Sequence, residues 1–282
     1  MKTRLVHCLF CAVFAVPVVH AGWLDALHSR RSFEVIAVTD MTPSGRLWPA
    51  PSPEQPQYYL PVSLGYRDLG GVIGRVKEPP EQAAVQTIAR ELAARGYLPA
   101  TEKTPPPTLV LVFSWGTLNA KYPPSMTRNL PVAQQNRKQI VDFLGGAKMG
   151  IVADCYDGGL FGMPADSRLL DNDARDFLAL ANDNYYVAVV TAYDLAAMEK
   201  NPTLSLPHLW ITRIACPSLG FSLPDALPSM LALAGPNLGR ETARPVRVVV
   251  PRRERPTVKY GELQVIEFLK EPPATPPTKS ER

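Results

Sequence analysis

A proline has no backbone N–H and a fixed φ, so it cannot donate to a sheet ladder or extend a helix beyond its first turn. This chain carries 30 prolines in 282 residues, about twice the usual share. They gather at 43–61, 79–80, 104–107 and 272–277, and these clusters partition the stretches left to form regular structure. The first predicts a Pro-rich loop over 43–61, bearing Trp48, Tyr58 and Tyr59. Aromatic residues in such a loop either bind a ligand or pack down as staples, and the second reading is favoured. About 20 residues without regular structure is unusual inside a compact domain. The last cluster lies in Glu271–Arg282, EPPATPPTKSER, which predicts a disordered or polyproline tail.

The N-terminus has the three zones of a secretory signal peptide, predicted over 1–21. Lys2 and Arg4 form the positive region, Leu5–Val19 the apolar run, and Val19-His20-Ala21 the cleavage site. The run is about 15 residues, short of the roughly 20 needed to span a bilayer, and Pro17 interrupts it near its end. An uncleaved anchor is the less favoured alternative. Neither Cys8 nor Cys11 follows the Leu-x-small triplet of a lipidation site. The expectation is an exported protein, soluble in the periplasm or medium, with no stable membrane span after cleavage.

Cleavage before Gly22 leaves 28 basic and 26 acidic residues. That balance gives no electrostatic footprint for nucleic acid, and Arg252-Arg253-Glu254-Arg255 reads as a solvated charge run. A strand and turn are predicted over 58–76, and strand-like runs at 33–38, 108–113, 185–191, 208–215, 244–251 and 258–269. Helices are predicted at 79–95, 131–144, 167–182 and 225–233, the last capped by Ser222 or Asp225. In the first, Ala84, Ile88 and Leu92 form an apolar stripe, and Gly96 is placed to close the helix with a positive φ. The strands at 33–38 and 108–113 with the helix between them suggest a β–α–β arrangement. The fold class is therefore α/β or α+β: a single domain over 22–270, a mixed sheet with helices packed on it. Gly70-Gly71-Val72-Ile73-Gly74 lacks the spacing of a phosphate loop and reads as a turn.

The segment Ala93-Ala94-Arg95-Gly96-Tyr97 and the apolar strand after it resemble a family of Gram-negative envelope lipoprotein domains of unknown function. In that family a helix closing on such a motif precedes an apolar strand. The resemblance covers about 30 residues and implies a small α/β envelope domain. The chain departs from the family in having no lipidated cysteine.

The catalytic inventory is thin. The mature chain has two histidines, His28 and His208, and two cysteines, Cys155 and Cys216. Scattered in this way they show no zinc spacing, and neither histidine stands beside a nucleophile motif. No metal and no cofactor is expected. Cys155 and Cys216 are a candidate disulfide in an oxidising compartment, closing a loop of about 60 residues for roughly 4 kcal/mol; both also suit ordinary core positions. The acidic cluster is Asp154, Asp157, Asp166, Asp171, Asp173 and Asp176. It reads better as turn and cap residues than as a site.

Two functions follow. The leading one is a non-catalytic envelope or secreted protein that binds an envelope protein or polymer, with the Pro-rich segments as docking elements. The alternative is a carboxylate-based hydrolase using Asp154 and Asp157.

Overall fold

Strand β1 (Ser32–Met41) is buried along Val35–Thr39 because it lies inside a sheet with neighbours on both sides. The computed structural model describes residues 32–70, 76–119, 130–151, 172–200 and 207–251. In these segments the chain forms β1, α1 (Pro43–Leu47), β2 (Gln57–Gly70), α2 (Glu81–Ala93), β3 (Tyr97–Pro99), β4 (Leu109–Asn119) and α3 (Leu130–Leu144). It continues with α4 (Asn172–Ala179), β5 (Tyr185–Asp194), α5 (Leu195–Lys200), β6 (Trp210–Pro217), α6 (Leu223–Ala234) and β7 (Val246–Pro251).

The seven strands make one mixed sheet in the order β3-β2-β4-β5-β6-β1-β7. β2 runs parallel to β3 and β4, and the other pairs are antiparallel. The crossover unit is β2–α2–β4, with β3 added at the sheet edge; β1 has no part in it and pairs with β6 and β7. That corrects the β–α–β arrangement expected from 33–38. β1 is joined to its partners by antiparallel ladders formed with the distant segments 210–215 and 246–251, a relation that local patterning does not carry.

Alternation along the strands divides the core in two. One face of β4 presents Leu109, Leu111, Phe113 and Trp115 to α2 and α6, which contribute Ala84, Ile88, Leu92, Leu227, Met230 and Leu231. The other face gathers Leu118, Tyr185, Val187, Ala215 and Ile36 against Ile140, Val141 and Leu144 of α3 and Phe177 of α4. Each fully buried large side chain contributes about 1.5–3 kcal/mol. The helix stripe predicted at Ala84, Ile88 and Leu92 is the buried face of α2.

The stretch 43–61 is not one long loop. Pro43 begins α1, capped by the Thr42 side chain accepting from the Gly45 N–H, because proline is tolerated in a first helical turn. From Gln57 the chain is already in β2, and irregular structure is confined to 48–56. Trp48 packs against the core and donates from Nε1 to Gln57 Oε1 at 3.1 Å, while Gln57 Nε2 donates to the Pro49 carbonyl at 2.6 Å. Tyr59 is 1% exposed and meets Phe113 edge-on. These aromatics are staples, as the favoured sequence reading has it. The segments 1–31, 152–171 and 252–282 lie outside the described residues, and with them the signal peptide, Asp154, Cys155, Asp157, the strand expected at 258–269 and the tail.

Candidate functional site

Strands β2 and β4 end side by side at one rim of the sheet, where the chain leaves β2 toward α2. In α/β sheets a crevice for ligands opens outside the carboxyl ends of parallel strands. Such a crevice is present here, with a volume of about 350 Å³. Its walls come from the last residues of β4 (Thr117 and Asn119), from Asn184 and Tyr186 at the start of β5, and from Ser218 after β6. Phe221 and Ser222 before α6, and Val76 and Lys77 before α2, complete it.

Thr117 and Asn119 are 1% and 5% exposed, so the floor is polar and buried. The Thr117 hydroxyl donates to the Asp68 carboxylate, and Asn119 Nδ2 donates to Thr117 Oγ1 at 3.4 Å. Tyr186 donates its phenolic proton to the Phe221 carbonyl at 3.0 Å, and desolvation raises its pKa. Ser222 Oγ donates to the Asp225 carboxylate at the start of α6. Ser222 stands at the N-cap position of that helix, but its side chain makes no capping hydrogen bond there.

The second feature is an open flank of the sheet on the opposite face. Since Tyr59 points into the α2–α6 core, Leu60, Val62 and Leu64 point to the other side. They are 39%, 40% and 49% exposed. The row continues inward from Val62 through its register partners Val112, Thr191 and Ile211, each half-buried. Asp40, across from Ile211, pairs with Lys148 at 2.9 Å and with Arg213, which closes the row with charge. At the opposite end a hollow of about 380 Å³ is lined by Trp48, Tyr58 and prolines 49, 56, 105 and 106 among others. None of these residues is ionisable at neutral pH.

The outer edge of β2 is guarded. The Ala100 N–H donates to the Tyr59 carbonyl on the β3 side, and the Thr108 N–H donates to the Tyr58 carbonyl on the β4 side. By that alternation Pro61 turns its missing donor outward. Four residues later the register with β4 slips between Ser63 and Tyr66, around Gly65 at φ +69°. Proline and a bulge on an edge oppose the addition of a further strand. The flank is therefore offered as a face, not as an edge.

The residues singled out from sequence fare differently. Cys216 is a free, buried cysteine on β6 whose thiol burial pushes up to about 12; Cys155, its candidate partner, lies outside the described residues. So do Asp154, Asp157, Asp166, Asp171 and His28. Asp173 and Asp176 are exposed on α4, with Asp173 lying 3.7 Å from Arg244. His208 stands half-buried just before β6. Among the described residues no group of three or more His, Cys, Asp or Glu side chains is arranged to hold a metal ion. Sequence reasoning missed the crevice entirely, because its lining is drawn from five separate stretches. The strand expected from Tyr58 onward is β2, but its exposed face was missed, because which face stays open is set by what packs on the sheet.

No protein-family model and no curated protein matches the chain. Among solved structures it is similar to the PelC dodecamer from Paraburkholderia phytofirmans in two crystal forms. For the C2 form, a single-residue variant, identity is 10% and the TM-score 0.28, covering 70% of this chain and 93% of that one. For the P6 form the values are 10% and 0.30, covering 73% and 99%. Likeness of that degree carries no inference about function.

Proposed function

We propose that this is an exported, non-catalytic binding protein of the bacterial envelope that docks a macromolecular partner on the open flank of its sheet. The carrying observation is the exposed row Leu60, Val62 and Leu64, with half-buried Val112, Thr191 and Ile211 behind it. A contiguous apolar patch ending in charge is the usual form of a protein interface. The guarded edge restricts the partner to packing on side chains. Export is supported by the three-zone N-terminus, Lys2–Ala21. Among the described residues no helix is long and apolar enough to cross a membrane.

Both halves are open to one experiment in cells. The chain carrying a photocrosslinking amino acid at Val62 is expressed, and its mature form is expected to begin at Gly22. Irradiation is expected to yield one discrete adduct, absent when the probe is placed at exposed Gln86 on the far side of the sheet. Leu60→Ser with Leu64→Ser is expected to abolish the adduct while leaving circular dichroism unchanged. An adduct that survives the double substitution, or a chain retained uncleaved inside the cell, overturns the reading.

A further inference from the structure

Given the docking face proposed above, on which this inference rests, we propose that the hollow beside the start of β2 anchors its partner. The partner engages the hollow with an uncharged, proline-bearing segment in the polyproline II conformation. The hollow holds about 380 Å³, within the range of small ligand sites. It is continuous with the flank, because Tyr58 lines it and stands on the same face of β2 as Leu60, Val62 and Leu64.

The walls are preformed and made of rings, supplied by Trp48, Tyr58 and prolines 49, 56, 105 and 106. Pro49, Pro105 and Pro106 are exposed, and Trp48, Pro56 and Tyr58 are half-buried, so each is reachable from solvent. The indole is fixed in place. Its Nε1 donates to Gln57 Oε1 at 3.1 Å, and Gln57 Nε2 donates to the Pro49 carbonyl at 2.6 Å. A hollow held in this way orders little on binding. None of its eight lining residues is ionised at neutral pH, so an uncharged segment meets it without desolvating a charge.

Two features select proline. The first is the wall itself. The N–H groups of Trp48, Gln57 and Thr108 already donate to the carbonyls of Gly45, Gly96 and Tyr58, and the Pro49 carbonyl already accepts from Gln57. A proline brings an apolar ring and no N–H, so it packs on this wall and buries no donor of its own without an acceptor. The second is the edge. Pro61 and the bulge at Gly65 oppose strand addition, so an extended partner gains no ladder from β2. Polyproline II has no internal hydrogen bonds and keeps its backbone solvated, so it loses nothing by lying on side chains. From Tyr58 to Leu64 the row is about 20 Å long. A polyproline II stretch of about seven residues spans that distance.

The test uses the mature chain, isotope-labelled at its indole nitrogens, in NMR titration and calorimetry. The probe is blocked octaproline, with a blocked Gly-Ser octapeptide and a blocked amphipathic helical peptide as controls. Octaproline is expected to shift the Trp48 indole signal and to bind with a Kd on the order of 1 mM or tighter. The Gly-Ser peptide is expected to do neither. Tyr58→Ala is expected to weaken octaproline binding about fivefold or more, and to reduce the adduct formed at Val62. Pro106→Ser, at an exposed position, is expected to act in the same direction and decides should Tyr58→Ala fail to fold. No octaproline binding, equal binding of the Gly-Ser peptide, tighter binding of the helical peptide, or binding unchanged in every folded variant overturns the inference. The docking face survives any of these if the Val62 adduct persists. That face fails by a different sign, an adduct that survives Leu60→Ser with Leu64→Ser, whatever octaproline does.

Discussion

At the scale of single residues, buried polar groups on β1 and β6 do what apolar packing alone does not. Thr39 and Thr212 are fully buried, with their hydroxyl oxygens 2.7 Å apart. Thr39 Oγ1 donates to the Asn237 carbonyl at 2.7 Å, and its N–H donates to Thr242 Oγ1 at 3.1 Å. The segment 237–242 is thereby sewn to the sheet. Thr39→Val keeps the shape and leaves the Asn237 carbonyl and the Thr212 hydroxyl without this partner, so a loss of about 1–3 kcal/mol is expected in urea unfolding. A second residue-scale effect concerns alkali. Burial pushes Tyr59 and Cys216 each up to about 12, and raises Tyr97 and Tyr185 by the same cause. An unfolded chain releases those protons near pH 9–10, while the folded chain keeps them. In that window the unfolded state binds fewer protons, and stability falls as pH rises. It is fully present below about pH 8.5 and declines from there toward pH 12. The urea midpoint is expected to drop between pH 8 and 10.5, with a shallower drop in Cys216→Ala. An equal slope in that variant would remove the thiol from the account.

At the scale of elements, β2 is the strand whose sequence and role diverge most. Its Pro61 argues for a loop when read locally, yet at an edge the missing donor faces outward and interrupts no ladder within the sheet. The same proline keeps the edge from pairing with another chain. Pro61→Val restores an outward N–H beside exposed Leu60, Val62 and Leu64, and is expected to raise self-association, read as concentration-dependent mass in sedimentation. A variant as monodisperse as the parent would show that the Gly65 bulge alone guards the edge. The end of α2 shows the opposite case, in which local sequence suffices. Gly96 takes φ +87°, and a Cβ there would stand 2.3 Å from the Ser52 carbonyl oxygen. Only glycine satisfies both demands.

For the whole molecule, the decisive relation is one sheet with a separate core on each face. Because the strands are shared, neither core persists without the other, and unfolding is expected as a single transition. Ile88→Ala and Ile140→Ala lie in opposite cores and are each fully buried. Each should cost about 2–5 kcal/mol and move the same calorimetric peak. Two resolved peaks in either variant would mean that the layers fold separately.

Local order was legible in the sequence wherever a single stretch decides it. The α2 stripe, its glycine stop, the apolar run of β4, the helix opened by Ser222 and the mixed class of the fold all follow from periodicity, caps and composition. Pairing was not legible. The parallel alignment of β2 with β4 and the antiparallel seats of β1 between β6 and β7 are set by which faces bury together, and that is a property of segments far apart in the chain. The two candidate surfaces follow the same rule. A crevice assembled from five stretches and a flank on one face of β2 exist only once the sheet has formed. The proline clusters limited where structure can occur; tertiary packing decided that one of those prolines sits in a strand.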